Sequence, residues 1–342
     1  MKKKNLLVIA LMLLTVMSIT ACSGEKDNSE ETGNGGANST NKLKVALLLS
    51  GPANDQGWNA TAVEGLNTIK EKHDVETTFM ENVTVADMES AYTDYASQGY
   101  DLIIGHGFQF GQPAAKVALT FPEQYFMATE SNSKEKNMSS YVMSCEQGGY
   151  LMGALAASIS KMNVIGVVGG MEQPSIIKEV EAFKVAAKEI NPDIKILESY
   201  VNSFTDVTAG KAAATSMLDQ NADVIYHVAN QAGTGVIKAC EERGVYALGN
   251  SYDQTSVASG TVLCSTVYRM PEVINYALEE VINNKFGNSV TYLGIAENVV
   301  DISFNEELKS EIPEDVVNKI EELYSNIESG TLEVPLKEEK TK

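Results

Sequence analysis

The side chains able to hold a small molecule fall in short loops, each placed directly after an apolar run. The first, Ser50-Gly51-Pro52-Ala53-Asn54-Asp55-Gln56-Gly57-Trp58-Asn59, carries amides, a carboxylate and the only tryptophan of the chain. A flat ligand stacks on an indole, and amides or a carboxylate satisfy its polar edge. Asn54, Asp55 and Trp58 are therefore candidate ligand contacts, although Asn54, Asp55 and Asn59 are also residue types that cap a following helix, and Asn59 is read as a cap. A second loop, Gly105-His106-Gly107-Phe108-Gln109-Phe110-Gly111, has glycines flanking two aromatics, so its backbone can approach a ligand closely. Phe108 and Gln109 are assigned to ligand here; Phe110 is either a third contact or a plug between lobes.

Three more loops follow the same plan. Gly169-Gly170-Met171-Glu172-Gln173-Pro174 offers Met171, Val228-Ala229-Asn230-Gln231-Ala232-Gly233 offers Asn230 and Gln231, and Gly249-Asn250-Ser251-Tyr252-Asp253-Gln254 offers Asp253. Amides bond the edge of a heterocycle, and a carboxylate accepts two sugar hydroxyls. Asp253 is equally suited to bracing its own turn through backbone amides.

Catalytic constellations are missing from the sequence. The three histidines sit in unrelated segments: His73 at a helix end, His106 in a glycine loop, and His227 inside an apolar strand, where a core role is expected. No GxSxG elbow, Walker A loop or HExxH occurs. Glu172 and Asp206 would serve as the acid and base of a glycoside-type hydrolysis only if the fold brought them together. The expectation is a binding protein without cofactor or metal, not an enzyme.

The elements that position these loops read as alternating strands and helices. Runs 45–49, 102–104, 164–168, 224–228 and 245–248 are apolar enough for strands covered on both faces. Amphipathic stretches at 61–72, 86–98, 147–161, 176–190, 209–220 and 233–243 lie between them, which is the pattern of repeated βαβ units and parallel sheets. The pattern restarts after about residue 145, with Gly148-Gly149 heading an apolar helix and a new strand near Asn163. The fold class expected is α/β, two doubly wound parallel-sheet lobes joined by a hinge. One lobe comprises 43–145 plus about 268–292, the other 146–267 plus about 293–335. Ligands of such sheets bind beyond the carboxyl ends of the strands.

The N-terminus reads as an export signal. Met1-Lys2-Lys3-Lys4 precedes an apolar run from Leu6 to Ile19 and the tetrapeptide Ile19-Thr20-Ala21-Cys22. That run is shorter than the roughly 20 residues a membrane-spanning helix needs. The tetrapeptide resembles a lipobox, which makes 1–21 a lipoprotein signal peptide and Cys22 the lipidated residue, its acyl chains anchoring the protein to the membrane. Residues 23–42 contain no large apolar side chain, so 22–42 is expected to be a flexible tether. The net charge is −20, or −23 once the three lysines of the signal are gone, which argues against nucleic-acid partners. Cys145, Cys240 and Cys264 show no CxxC spacing and are read as small buried residues.

Taken together these segments resemble the basic membrane protein family of substrate-binding lipoproteins, a group that includes purine nucleoside receptors. The blocks that carry the likeness are Asn54-Asp55 through Glu64-Gly65-Leu66, Gly107-Phe108 with Phe121-Pro122, Gln147-Gly148-Gly149-Tyr150-Leu151-Met152-Gly153, Gly166-Val167-Val168-Gly169-Gly170-Met171, Ser203-Phe204-Thr205-Asp206, Ala222-Asp223-Val224-Ile225 and Asp253-Gln254. The resemblance implies a type I periplasmic-binding fold with a ligand in the inter-lobe cleft. Asn54, Asp55 and Trp58 would meet a purine base, and Asp253 would take ribose hydroxyls. Where relatives often carry lysine, this chain has Tyr268 beside Arg269. Both join the candidate site, and a free purine base becomes an alternative to a nucleoside. The implied partners are the permease and ATPase subunits of an ABC importer, with the protein a monomer on the extracytoplasmic face of the cell membrane. The other classes are a nucleoside-cleaving hydrolase on a similar fold and a surface lipoprotein that binds a protein partner without transport.

Overall fold

The computed structural model describes residues 42–340 apart from Gln56. The signal segment, the tether before Lys42 and Cys22 lie outside the described residues. Twelve strands are formed in this stretch: β1 Leu43–Leu49, β2 Val75–Met80, β3 Leu102–His106, β4 Tyr125–Thr129, β5 Met138–Met143, β6 Val164–Gly169, β7 Lys195–Tyr200, β8 Val224–Val228, β9 Tyr246–Gly249, β10 Val262–Tyr268, β11 Ser289–Leu293 and β12 Val300–Phe304. The continuous apolar runs are strands with every residue buried, as in β3 and β8, because helices cover both faces. Those helices are α1 Trp58–Lys72, α2 Met88–Ser97, α3 Gly111–Ala118, α4 Cys145–Ile159, α5 Pro174–Ile190, α6 Val207–Leu218, α7 Ala232–Arg243, α8 Met270–Ile282 and α9 Glu314–Glu328.

The strands form two six-stranded sheets, ordered β11-β5-β4-β3-β1-β2 and β12-β10-β9-β8-β6-β7. Pairing is parallel throughout except that β12 runs antiparallel to β10. This is the expected α/β class. In each sheet the winding direction reverses once, between β1 and β3 in the first and between β6 and β8 in the second. A reversal sends consecutive helices to opposite faces and opens a crevice at the carboxyl ends of the two strands. The chain passes from one sheet to the other between β5 and β6, between β10 and β11, and between β11 and β12.

These passages are tied together. Ser144 donates its backbone N–H to Leu293, Gln147 accepts from the N–H of Ile295, and the Arg269 N–H donates to the carbonyl of Val299. Helices α4 and α5 pack closely because glycine faces backbone: a Cβ on Gly149 would lie 2.3 Å from the carbonyl oxygen of Glu179, and one on Gly153 would lie 2.1 Å from that of Phe183. The glycine block at 148–153 therefore serves helix packing. Cys145, Cys240 and Cys264 are buried free thiols, and His227 is fully buried within β8. Among the described residues no helix is long and apolar enough to cross a membrane.

Candidate functional site

The two reversal points face each other through the loops singled out from sequence. In the first sheet they are the loop after β1 and the loop after β3; in the second they are the loops after β6 and β8. Direct contact crosses between them. Gln231 Nε2 donates to the backbone carbonyl of Asp55 at 3.1 Å, and a Cβ on Gly57 would lie 3.0 Å from Asn230 Oδ1, so the Asn230 amide sits against the Gly57 backbone.

Asp55 organises the first loop. Its carboxylate accepts from the backbone N–H groups of Gly57, Asn59 and Ala60 and from the Asn59 side-chain amide, all at 2.9–3.0 Å. Burial pushes its pKa up, but these donors outweigh burial and hold it below the ordinary carboxylate value. Gly57 holds the N-cap position of α1 and Asp55 supplies the side chain that accepts the first-turn N–H groups, so Asn59, read as the cap from sequence, is a donor to it. With four donors on it, Asp55 acts as the brace that presents Trp58.

The indole of Trp58 rests on the imidazole of His106, with ring centroids 4.1 Å apart and planes 21° apart. His106 Nε2 lies 2.9 Å from the Trp58 carbonyl oxygen, and its Nδ1 lies 3.2 Å from Thr129 Oγ1. Thr129 Oγ1 also accepts the N–H of Gly107 at 2.8 Å, and Gly107 holds φ +130°, open to glycine alone. Burial depresses the His106 pKa to about 4, so the ring is neutral at physiological pH. Phe108 is 58% exposed and Gln109 is part-exposed beside it, whereas Phe110 is fully buried edge-on to Tyr92 and belongs to the core. Asn54 and Met171 are exposed at their strand ends, with no side-chain hydrogen bond among the described residues.

The remaining candidates are engaged within the protein. Asp253 accepts from the N–H of Thr255 at 2.9 Å and from the Ser303 hydroxyl at 3.1 Å, which is the bracing arrangement. Arg269 is paired with Asp301 at 2.5 Å and bonded to Asn298 Oδ1 at 3.0 Å, tying two inter-sheet passages together. Tyr268 donates to Glu179, which also accepts from Tyr226 and, at 2.7 Å, from Asn250 Nδ2. Burial lifts the Glu179 carboxyl to about 7 despite the Tyr226 and Tyr268 donors. Glu172 pairs with Lys340 and Asp206 caps α6 through the N–H of Ala209, so neither is set up as an acid–base pair.

Sequence reasoning passed over one group entirely. Lys178, 1% exposed, donates to the carbonyl of Met143 at 2.5 Å and lies 3.8 Å from Glu130 and 3.6 Å from Glu146. It reaches from α5, over the second sheet, to the ends of β4 and β5 in the first. Burial opposes its charge, but Glu130 and Glu146 carry its pKa above the ordinary lysine value. A lysine and a glutamate in the second turn of an amphipathic helix read as solvent-facing, so no local pattern marks Lys178 or Glu179.

The chain is 30% identical over 302 residues to the purine-binding protein of Brucella abortus, covering 87% of this chain and 84% of that protein. It is 28% identical over 317 residues to the ABC transporter nucleoside-binding protein of Lactococcus lactis, covering 85% and 89% respectively. A solved ABC transporter solute-binding protein from Aeropyrum pernix superposes with a TM-score of 0.74 at 24% identity, over 86% of this chain and 94% of that one, and shares the fold. The family model described as ABC transporter substrate-binding protein PnrA-like matches residues 42–338, and the chain belongs to that family.

Proposed function

We propose that the protein captures an uncharged purine, nucleoside or free base, in the cleft between the two sheets and delivers it to the permease and ATPase of an ABC importer. The observation that carries this reading is that charge in the cleft loops is committed to the protein itself while an aromatic face and several amides are not. Arg269, the one permanent cation of those loops and of 268–269 among the described residues, is held by Asp301. The amides at the start of α1 are filled by Asp55, and those of α5 and α7 turn onto the carbonyls of Gln173, Asn230 and Gln231. An anionic ligand would lose hydration and find no counter-charge, which costs several kcal/mol. Trp58, Phe108, Asn54, Gln109, Asn230 and Met171 form the contacting set in this reading. Asp253, Tyr268 and Arg269 shape the loops behind it. The names of the Brucella and Lactococcus relatives lend support to a purine or nucleoside.

The test is calorimetry together with Trp58 emission for adenosine, guanosine, inosine, adenine, hypoxanthine and adenosine monophosphate. At least one uncharged purine should bind with an emission change, and the monophosphate should bind at least about a hundredfold more weakly, close to 3 kcal/mol. Equal binding of the monophosphate, or no binding of any purine, overturns the proposal. Recovery of the nucleoside intact separates a receptor from a nucleoside-cleaving hydrolase. Lipid attachment at Cys22 is part of the same reading: labelled fatty acid should enter the wild type and not Cys22→Ser. So is closure of two lobes about the inter-sheet passages, seen as a smaller radius of gyration in scattering with saturating ligand.

A further inference from the structure

We propose that His106 is a positioning residue for ligand binding: it fixes the plane of the Trp58 indole and closes its inner face, so that a single face is left for the ligand. This rests on the reading of Trp58 as the stacking platform. The geometry is a two-point hold. The imidazole covers the indole at a 4.1 Å centroid distance while its Nε2 bonds the carbonyl of the same residue at 2.9 Å, so ring and backbone of Trp58 are fixed by one side chain. His106 is fully buried and Trp58 is half-buried, which puts the imidazole on the interior side of the stack and the open face toward solvent.

The hydrogen-bond roles leave one tautomer. Thr129 Oγ1 accepts the Gly107 N–H, so its own hydrogen is directed to His106 Nδ1, and the Nε2–H is directed to the Trp58 carbonyl. Three strand ends thus converge on one indole: β4 supplies Thr129, β3 supplies His106, and the loop after β1 supplies Trp58. No other ring is stacked against Trp58 among the described residues. Without the imidazole the indole would rotate about its side-chain torsions, and binding would have to order it again.

Because Trp58 is the only tryptophan, its emission reports the platform without ligand. In the ligand-free protein, His106→Asn should raise iodide quenching of Trp58 by about twofold, since both indole faces open. It should also weaken the best-binding purine by about tenfold. His106→Phe restores a flat ring beneath the indole and should recover wild-type quenching and most of the affinity. Thr129→Val keeps the volume, removes the donor to Nδ1, and should weaken binding by about threefold, which keeps the test alive if His106→Asn does not fold. Unchanged quenching and affinity in a folded His106→Asn, or in Thr129→Val, overturns the inference. Wild type that binds no purine overturns the functional reading instead, and the ligand-free quenching still decides the positioning.

Discussion

Replacing Lys178 with methionine keeps the shape of the side chain and removes a charge that two buried carboxylates depend on. Its ammonium lies 3.8 Å from Glu130 and 3.6 Å from Glu146, and the Glu146 oxygen facing it has no hydrogen-bond partner among the described residues. Glu130 Oε1 is held by the N–H of Met143, whose carbonyl takes Lys178, so the substitution strips a backbone carbonyl of its donor and two carboxylates of their counter-charge. Removing one member of a buried ionic group costs about 3–5 kcal/mol, because the stranded charge must be protonated or rehydrated. With an unfolding entropy of about 2.1 cal/mol/K per residue over some 300 residues, that lowers Tm by roughly 5–8 °C. Differential scanning calorimetry and urea titration at pH 7 measure the loss. Lys178→Met combined with Glu130→Gln should regain more than 1 kcal/mol, since one stranded charge is gone. A single mutant within about 1 kcal/mol of wild type, or a double mutant no more stable than the single, would refute the argument that Lys178 neutralises this junction of the two sheets.

Glu179 has a folded pKa near 7 against an ordinary 4.5, so the stability it contributes is present below about pH 4.5 and is lost as pH rises through 7. Glu179→Gln should therefore lose about 2 kcal/mol more than wild type between pH 7 and pH 5, as urea titration at both values would show. His106 and His227 act in the opposite sense: both are depressed from 6.5 to about 4, so their contribution is present above 6.5 and is lost as pH falls toward 4. Together they should cost about 4 kcal/mol between pH 7 and pH 5, and double replacement by glutamine should flatten that decline. Asp253→Asn should change nucleoside and free-base affinities by the same factor, because its oxygens serve Thr255 and Ser303; a loss of about tenfold confined to the nucleoside would instead make it a ribose ligand.

Much of the architecture is legible in the sequence because burial on both faces leaves a local record. The runs at 45–49, 102–104 and 224–228 are apolar apart from His227, and the turn-rich loops after them had to lie at strand ends, which places Trp58, Phe108 and Asn230 there. The edge and late strands β2, β7, β11 and β12 are partly exposed and mixed in composition, so periodicity does not reveal them. Partnership is a separate matter, since periodicity reports which face a residue presents and not which distant segment meets it. Asp55 could cap or bind, and only the fold shows four donors of its own loop on that carboxylate. Glu179 meets Tyr226, Asn250 and Tyr268 at separations of 47, 71 and 89 residues, and Arg269 meets Asp301 across 32. Such pairs arise from the order in which strands are laid into two sheets and from chain passages that return to the same place. The sequence by itself therefore determined the class of fold and which polar and aromatic loops follow the strands, while the tertiary structure alone decided which of their charged groups are spent on one another, because a charge is neutralised by whatever the folded chain sets beside it.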